Sequence, residues 1–157
     1  MDFLPILIAI IVVVAFVALL MVFSGSKNKG GKKGGKQKSR QIIIKEATKK
    51  LSQNPHNPDG LIPLAELYYQ EQLWDKAYPL YETMLNIAVA HPQIDLGKTA
   101  LRQGICALKI DKNEDAFKGL LQARKISPDN FETNFYLGQA FLRNKENDKA
   151  IPLLRKA

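Results

Sequence analysis

Hydrophobic positions divide the chain into two unlike parts. From Phe3 to Phe23 every side chain is apolar, so no polar face marks an amphipathic helix. After residue 40, apolar and polar positions mix in a way that places helices near 60–72, 74–88, 96–110, 113–126, 131–144 and 147–157. A shorter helix is predicted over 41–53, with Pro55 just beyond it. Asp59, Ser127 and Asp129 stand at the breaks as capping and turn residues. The later pattern repeats. Gly104 and Gly138 are 34 residues apart, as are Ala116 and Ala150. Ala65 to Gly104 and Ala77 to Ala116 are both 39 residues, which is 34 plus a five-residue insertion near 92–96. Pro79 and Pro152 occupy the same place in their units.

A helix over 3–23 would rise about 1.5 Å per residue and span roughly 30 Å, the thickness of a bilayer core. Pro5 falls in its first turn, where a missing N–H matters little. A cleaved signal peptide would have a basic start and a shorter apolar run. The run lacks glycine, hence a GxxxG pairing face. Residues 1–23 are therefore expected to be a single transmembrane anchor. Residues 24–40 carry seven basic residues and no acid, whereas residues 41–157 carry 16 basic and 14 acidic ones. The net charge of +8 thus sits mostly beside the apolar run, which argues against a uniformly basic nucleic-acid-binding domain. The cluster is Lys27, Lys29, Lys32, Lys33, Lys36, Lys38 and Arg40. Basic residues stay on the cytoplasmic side, so the soluble part is expected to face the cytoplasm, for instance at a bacterial inner membrane. A periplasmic orientation is the alternative. With Gly and Ser between the charges, 24–40 reads as a flexible tether, able to meet anionic head groups. Gly30, Gly35 and Lys36 imitate a phosphate-binding loop, but Gln37 stands where Ser or Thr is needed and no strand precedes it.

Candidate chemistry is sparse. Cys106 is the single cysteine, so no intramolecular disulfide and no Cys-built zinc site can form. It reads as a packed core residue, because no base is identifiable near it. His56 and His91 both adjoin proline in connecting segments, without a second ligand at metal spacing. Neither an enzyme nor a cofactor is expected.

The residues Leu64-Ala65-x-x-Tyr68 with Ala77-x3-Tyr81, and Leu137-Gly138-x-x-Phe141 with Ala150-x3-Leu154, resemble the tetratricopeptide repeat. Gly104, Ala107, Ala116, Leu120, Ala123 and Pro128 supply the middle unit. The resemblance covers 58–157, in units of about 58–91, 97–130 and an incomplete 131–157, with 41–57 as a leading half-repeat. Asn134 and Ala100 depart from a frequent Trp, and Gln103 replaces the large apolar residue. The implied fold is all-α, an anchor followed by a solenoid of antiparallel helix pairs. Its small residues let paired helices approach closely. No polar closing helix follows the third unit, which favours a piece of a longer protein over an end that pairs with another chain.

The resemblance also implies a partner-binding groove on the first helices. It would be lined by Ile62, Glu66, Tyr69, Leu101, Ile105, Leu108, Lys109, Phe135, Gln139, Leu142 and Arg143. A basic edge at Lys98, Arg102 and Lys109 would favour an apolar segment with some acid. The competing reading packs several of these side chains between repeats. The family's carboxylate clamp is absent, since Leu101, Ile105, Ile62 and Glu66 hold those positions. The expected role is a membrane-anchored scaffold that recruits a protein or peptide. Rival readings are an electrostatic membrane-surface binder with the repeats as spacer, an organelle import receptor, and a non-catalytic part of a larger protein. On the groove reading, Leu101→Glu with Phe135→Glu should abolish capture and leave helicity intact.

Overall fold

The computed structural model describes residues 30–157, and their side chains from Gln37 onward. The apolar run 3–23 and the basic residues Lys27 and Lys29 lie outside the described residues. Among the described residues no helix is long and apolar enough to cross a membrane. The described chain is helical throughout: α1 (Gly30–Gln53), α2 (Pro58–Gln70), α3 (Trp74–Ile87), α4 (Leu96–Lys109), α5 (Asn113–Ile126), α6 (Phe131–Arg143) and α7 (Asn147–Lys156). A single 3₁₀ turn, Ala88–Ala90, follows α3. Contacts divide the chain between Gln41 and Ile42, and the packing below concerns Ile42–Ala157.

The helix expected over 41–53 starts earlier, at Gly30, inside the stretch read as a tether. Four glycines there oppose helix formation by about 1 kcal/mol each relative to alanine. Extending an existing helix avoids the nucleation cost, however, and the intervening Lys and Gln are good helix formers. Further along, Ala47 is buried and Leu51 half-buried. A Cβ on Gly60 would sit 2.9 Å from Leu51 Cγ and 3.1 Å from the Ala47 carbonyl. Gly60 is what lets the end of α1 approach the start of α2.

Helices α2 to α7 form three antiparallel pairs, and each pair packs on the next. Asn57, Asp95 and Asn130 cap the first helix of each pair, accepting from the backbone N–H of Asp59, Lys98 and Thr133. These caps, not the expected Asp59 and Asp129, satisfy the exposed N–H groups. Second helices start without a side-chain cap. Three-residue turns join the helices of every pair, and each contains one non-glycine residue with positive φ: Gln72 (58°), Asp111 (59°) and Lys145 (62°). In each turn the next N–H (Leu73, Lys112, Glu146) donates back to Tyr68, Ala107 or Phe141 at 2.9 Å. That bond pairs a carbonyl that the ending helix would leave free.

Small residues meet where the helices of a pair touch. Gly104 on α4 packs against Ala116 and Leu120 of α5, and Ala65, Ala77, Ala116, Ala140 and Ala150 are almost wholly buried. Tyr81, Leu61, Ile105, Leu108, Leu120 and Leu137 fill the rest of the core. The five-residue insertion also contributes. It carries buried Ile94 into the core and ends at the cap Asp95.

Candidate functional site

The first helices α2, α4 and α6 bring part of the expected groove together. On α2, Glu66 is ion-paired to Arg102 of α4 and lies 3.5 Å from Lys98 Nζ. The Arg102 guanidinium sits 4.6 Å from the centre of the Tyr69 ring and donates to the Tyr81 hydroxyl at 3.4 Å. Tyr81 in turn donates to Glu66 at 3.4 Å. Burial, opposed by Arg102, pushes the Tyr81 hydroxyl well above its ordinary pKa. Burial works against the charge on Arg102, yet its bonds to Tyr81 and Glu66 hold its pKa above the ordinary value. Tyr69 makes edge-to-face contacts with Trp74 and Tyr81. Its hydroxyl is raised by burial and by the nearby charge of Glu132.

Two of the three residues of the expected basic edge are therefore ion-paired within the molecule. Lys98 and Arg102 share Glu66. Arg143 bonds Asp111 at 3.0 Å and the Leu108 carbonyl at 2.7 Å. Lys109 lies over the Tyr136 ring. The charge that remains on this face is too balanced to demand an acidic partner.

Three expected groove residues are largely buried. Leu101, Ile105 and Leu108 are 7%, 1% and 1% exposed and pack in the core, although Leu101 also lines the cleft described below. The middle first helix is covered from both sides by its neighbours, so its apolar stripe became core, as the competing reading had it. Ile62 and Gln139 are half-buried, and Phe135 and Leu142 remain partly exposed. Phe135 and Leu142 stand 34 residues after Leu101 and Leu108. They stay open because no helix pair follows α7 among the described residues. Phe131 stacks on Phe135, which meets Tyr136 edge-on. In the basic cluster expected beside the membrane, Lys38 is exposed and Arg40 half-buried. Lys32, Lys33 and Lys36 lie within α1.

A cleft of about 320 Å³ opens between the starts of α4 and α6, lined by Lys98, Arg102, Ile126, Asn130, Glu132 and Thr133. Glu132 and Tyr136 were not foreseen. Their four-residue spacing placed them on one side of α6, but nothing in the spacing showed that this side approaches Tyr69. Among the described residues, no group of three or more His, Cys, Asp or Glu could hold a metal ion.

Cys106 is fully buried, and burial pushes its thiol up to about 12, with Arg102 pulling the other way. At pH 8 roughly one such thiol in ten thousand is ionised, against about a quarter for a free cysteine. A soluble disulfide reagent should therefore label the folded chain at least about a hundredfold more slowly than the urea-unfolded chain. Equal rates would place the thiol at the surface.

No family model and no curated protein matches the chain. Solved structures do match. Two crystal structures of MamA superpose with TM-scores of 0.66 and 0.67 at 21% identity, covering 82% and 80% of this chain and 72% and 66% of theirs. A third, the MamA of MSR-1, gives 0.63 at 18% identity over 80% of this chain and 67% of its own. The chain thus spans about two thirds of those proteins and shares their tetratricopeptide-type fold of stacked helix pairs.

Proposed function

We propose that the protein is a membrane-anchored scaffold that recruits a protein or peptide partner through the face made by α2, α4 and α6. The observation that carries this reading is the aromatic and charged surface joining three repeats. Tyr69 under Arg102, Tyr136 under Lys109, and the cleft beside Glu132 belong to different helix pairs, so one extended segment could touch them all. Rigid helices position these side chains, which lowers the ordering cost of binding. The balanced charge suits a partner with aromatic or apolar anchors and mixed charge, not a strongly acidic one. The anchor reading rests on the uninterrupted apolar sequence 3–23 and the topology on the basic residues after it, which direct the helix pairs to the cytoplasm.

Site-specific photo-crosslinking in membranes tests both halves. A photoreactive residue at Lys98 or Lys109 should give a discrete heavier adduct, while one at Lys125 on α5 should give none. Deleting residues 1–23 should move the chain and its adduct into the soluble fraction. Equal crosslinking from Lys125 would overturn the groove. Retention of the deleted form on membranes, reversed by salt, would favour the electrostatic binder instead.

A further inference from the structure

Two positions at the start of each first helix correspond across the repeats. Pro58 and Ile62 on α2 match Gly97 and Leu101 on α4, and Phe131 and Phe135 on α6. Only the middle pair carries no side chain at the first of them. On α6 the two rings stack, with centres 6.2 Å apart and planes 6° from parallel. On α4 Gly97 supplies no such ring, and Gly97 and Leu101 both line the cleft between the starts of α4 and α6. A Cβ on Gly97 would lie 3.2 Å from Ile126 Cγ2, and Ile126 lines the same cleft. The side chain that α4 lacks would therefore stand inside it.

The cleft joins an apolar wall to a charged rim. Gly97, Leu101 and Ile126 make the wall, and Ile126 is left 46% exposed. Lys98 and Arg102 line the α4 side and Glu132 the α6 side. The two cations already share Glu66, whereas Glu132 forms no ion pair among the described residues. A volume of about 320 Å³ is at the lower limit of ordinary ligand pockets, which suits one side chain better than a whole small molecule. Aromatic rings fit such mixed surroundings, since their faces accept both apolar groups and cations.

From this geometry we infer that the cleft takes an aromatic side chain of the recruited partner protein, beside a Lys or Arg of the same segment that pairs with Glu132. The inference rests on the reading of this face as the recruiting surface and names the partner's anchor. The guest ring takes over Leu101 the place that Phe131 takes over Phe135. Gly97 keeps that place open, and the unpaired carboxylate selects the charge of the neighbouring residue.

The test titrates the full chain in detergent micelles with acetyl-Phe-Arg-amide and acetyl-Arg-Phe-amide, following the Ser127 and Thr133 backbone amides by NMR. The tighter peptide should give saturable shifts. Replacing its Phe by Ala, or its Arg by Glu, should weaken it at least fivefold. Gly97→Phe, which supplies the ring internally, and Glu132→Gln should each do the same with helical content unchanged. The exposed Ile126 side chain can turn aside for the new ring, and Glu132→Gln is a check that does not depend on it. Equal binding of the alanine or glutamate peptide, or unaltered binding to folded Glu132→Gln, would overturn the inference. Photo-crosslinking from Lys109 in membranes then separates it from the reading beneath it. Loss of the partner adduct in Gly97→Phe supports the anchor. An adduct that persists in both folded variants leaves the recruiting face standing and overturns the anchor alone. No adduct from the unaltered chain overturns both, and an adduct of twice the chain's mass would put a second copy in the cleft instead of a partner.

Discussion

Gly104→Val should destabilise the folded chain by about 3 kcal/mol or more, at the upper end of what overpacking costs. A Cβ at this position would lie 2.8 Å from Leu120 Cγ, 2.9 Å from the Leu120 backbone nitrogen and 3.2 Å from the Ala116 carbonyl. A side chain can rotate away, but the backbone of α5 cannot move without opening the central helix pair. That pair is packed on both neighbours, so the displacement would spread along the solenoid. Gly138 is an internal comparison. Its Cβ would meet only the Leu154 side chain within 3 Å, near the end of the last pair. Gly138→Val should therefore cost less than half as much. Urea denaturation followed by circular dichroism measures both. Equal losses would mean that the α4–α5 contact has no special rigidity.

Leu101→Glu should cost a similar amount, about 3 kcal/mol, because it moves a carboxylate into a site with almost no access to water. Phe135→Glu, 34 residues on, should change stability by no more than about 1 kcal/mol, since Phe135 is 36% exposed. The two positions are equivalent in the repeat, and only their neighbours differ. The pair thus separates burial by stacking from any preference of the position itself. Comparable denaturation midpoints for both variants would return Leu101 to the surface. In place of the sequence-based expectation that a double glutamate variant keeps its helicity, the burial of Leu101 predicts that the double variant loses stability through Leu101.

Much of the fold was legible because close helix approach demands small residues at fixed separations. The interval from Gly104 to Gly138 and from Ala116 to Ala150 placed six helices to within two residues of their observed ends. The five-residue insertion was legible as a length, but not as the segment that carries Ile94 into the core. The early start of α1 was hidden, since local propensity at Gly30 to Gly35 speaks against a helix and only the following residues sustain it. The site was less legible than the fold. Position in a repeat says which way a side chain points, not whether a neighbour covers it, and so Ile105 and Leu108 were misread, while Leu101 keeps only an edge on the cleft. Pairing of Arg102 with Glu66 needs the distance between two repeats, which the sequence does not carry. Gln103 was visible as a departure from the pattern. That its amide fills the space beside Gly119 was not.

The turn within each helix pair has one length, three residues, and one left-handed backbone position, although Gln72, Asp111 and Lys145 share no chemistry. A left-handed residue other than glycine is unfavourable on its own; packing of the two helices holds it in place. The links between pairs obey no such rule, since 88–95 and 127–130 differ in length. Changes of chain length are therefore confined to one side of the stack. A whole pair could be gained or lost by recombination at a link, with every left-handed closure intact. The helix pair, not the single helix, is the piece by which such a protein can be lengthened or shortened.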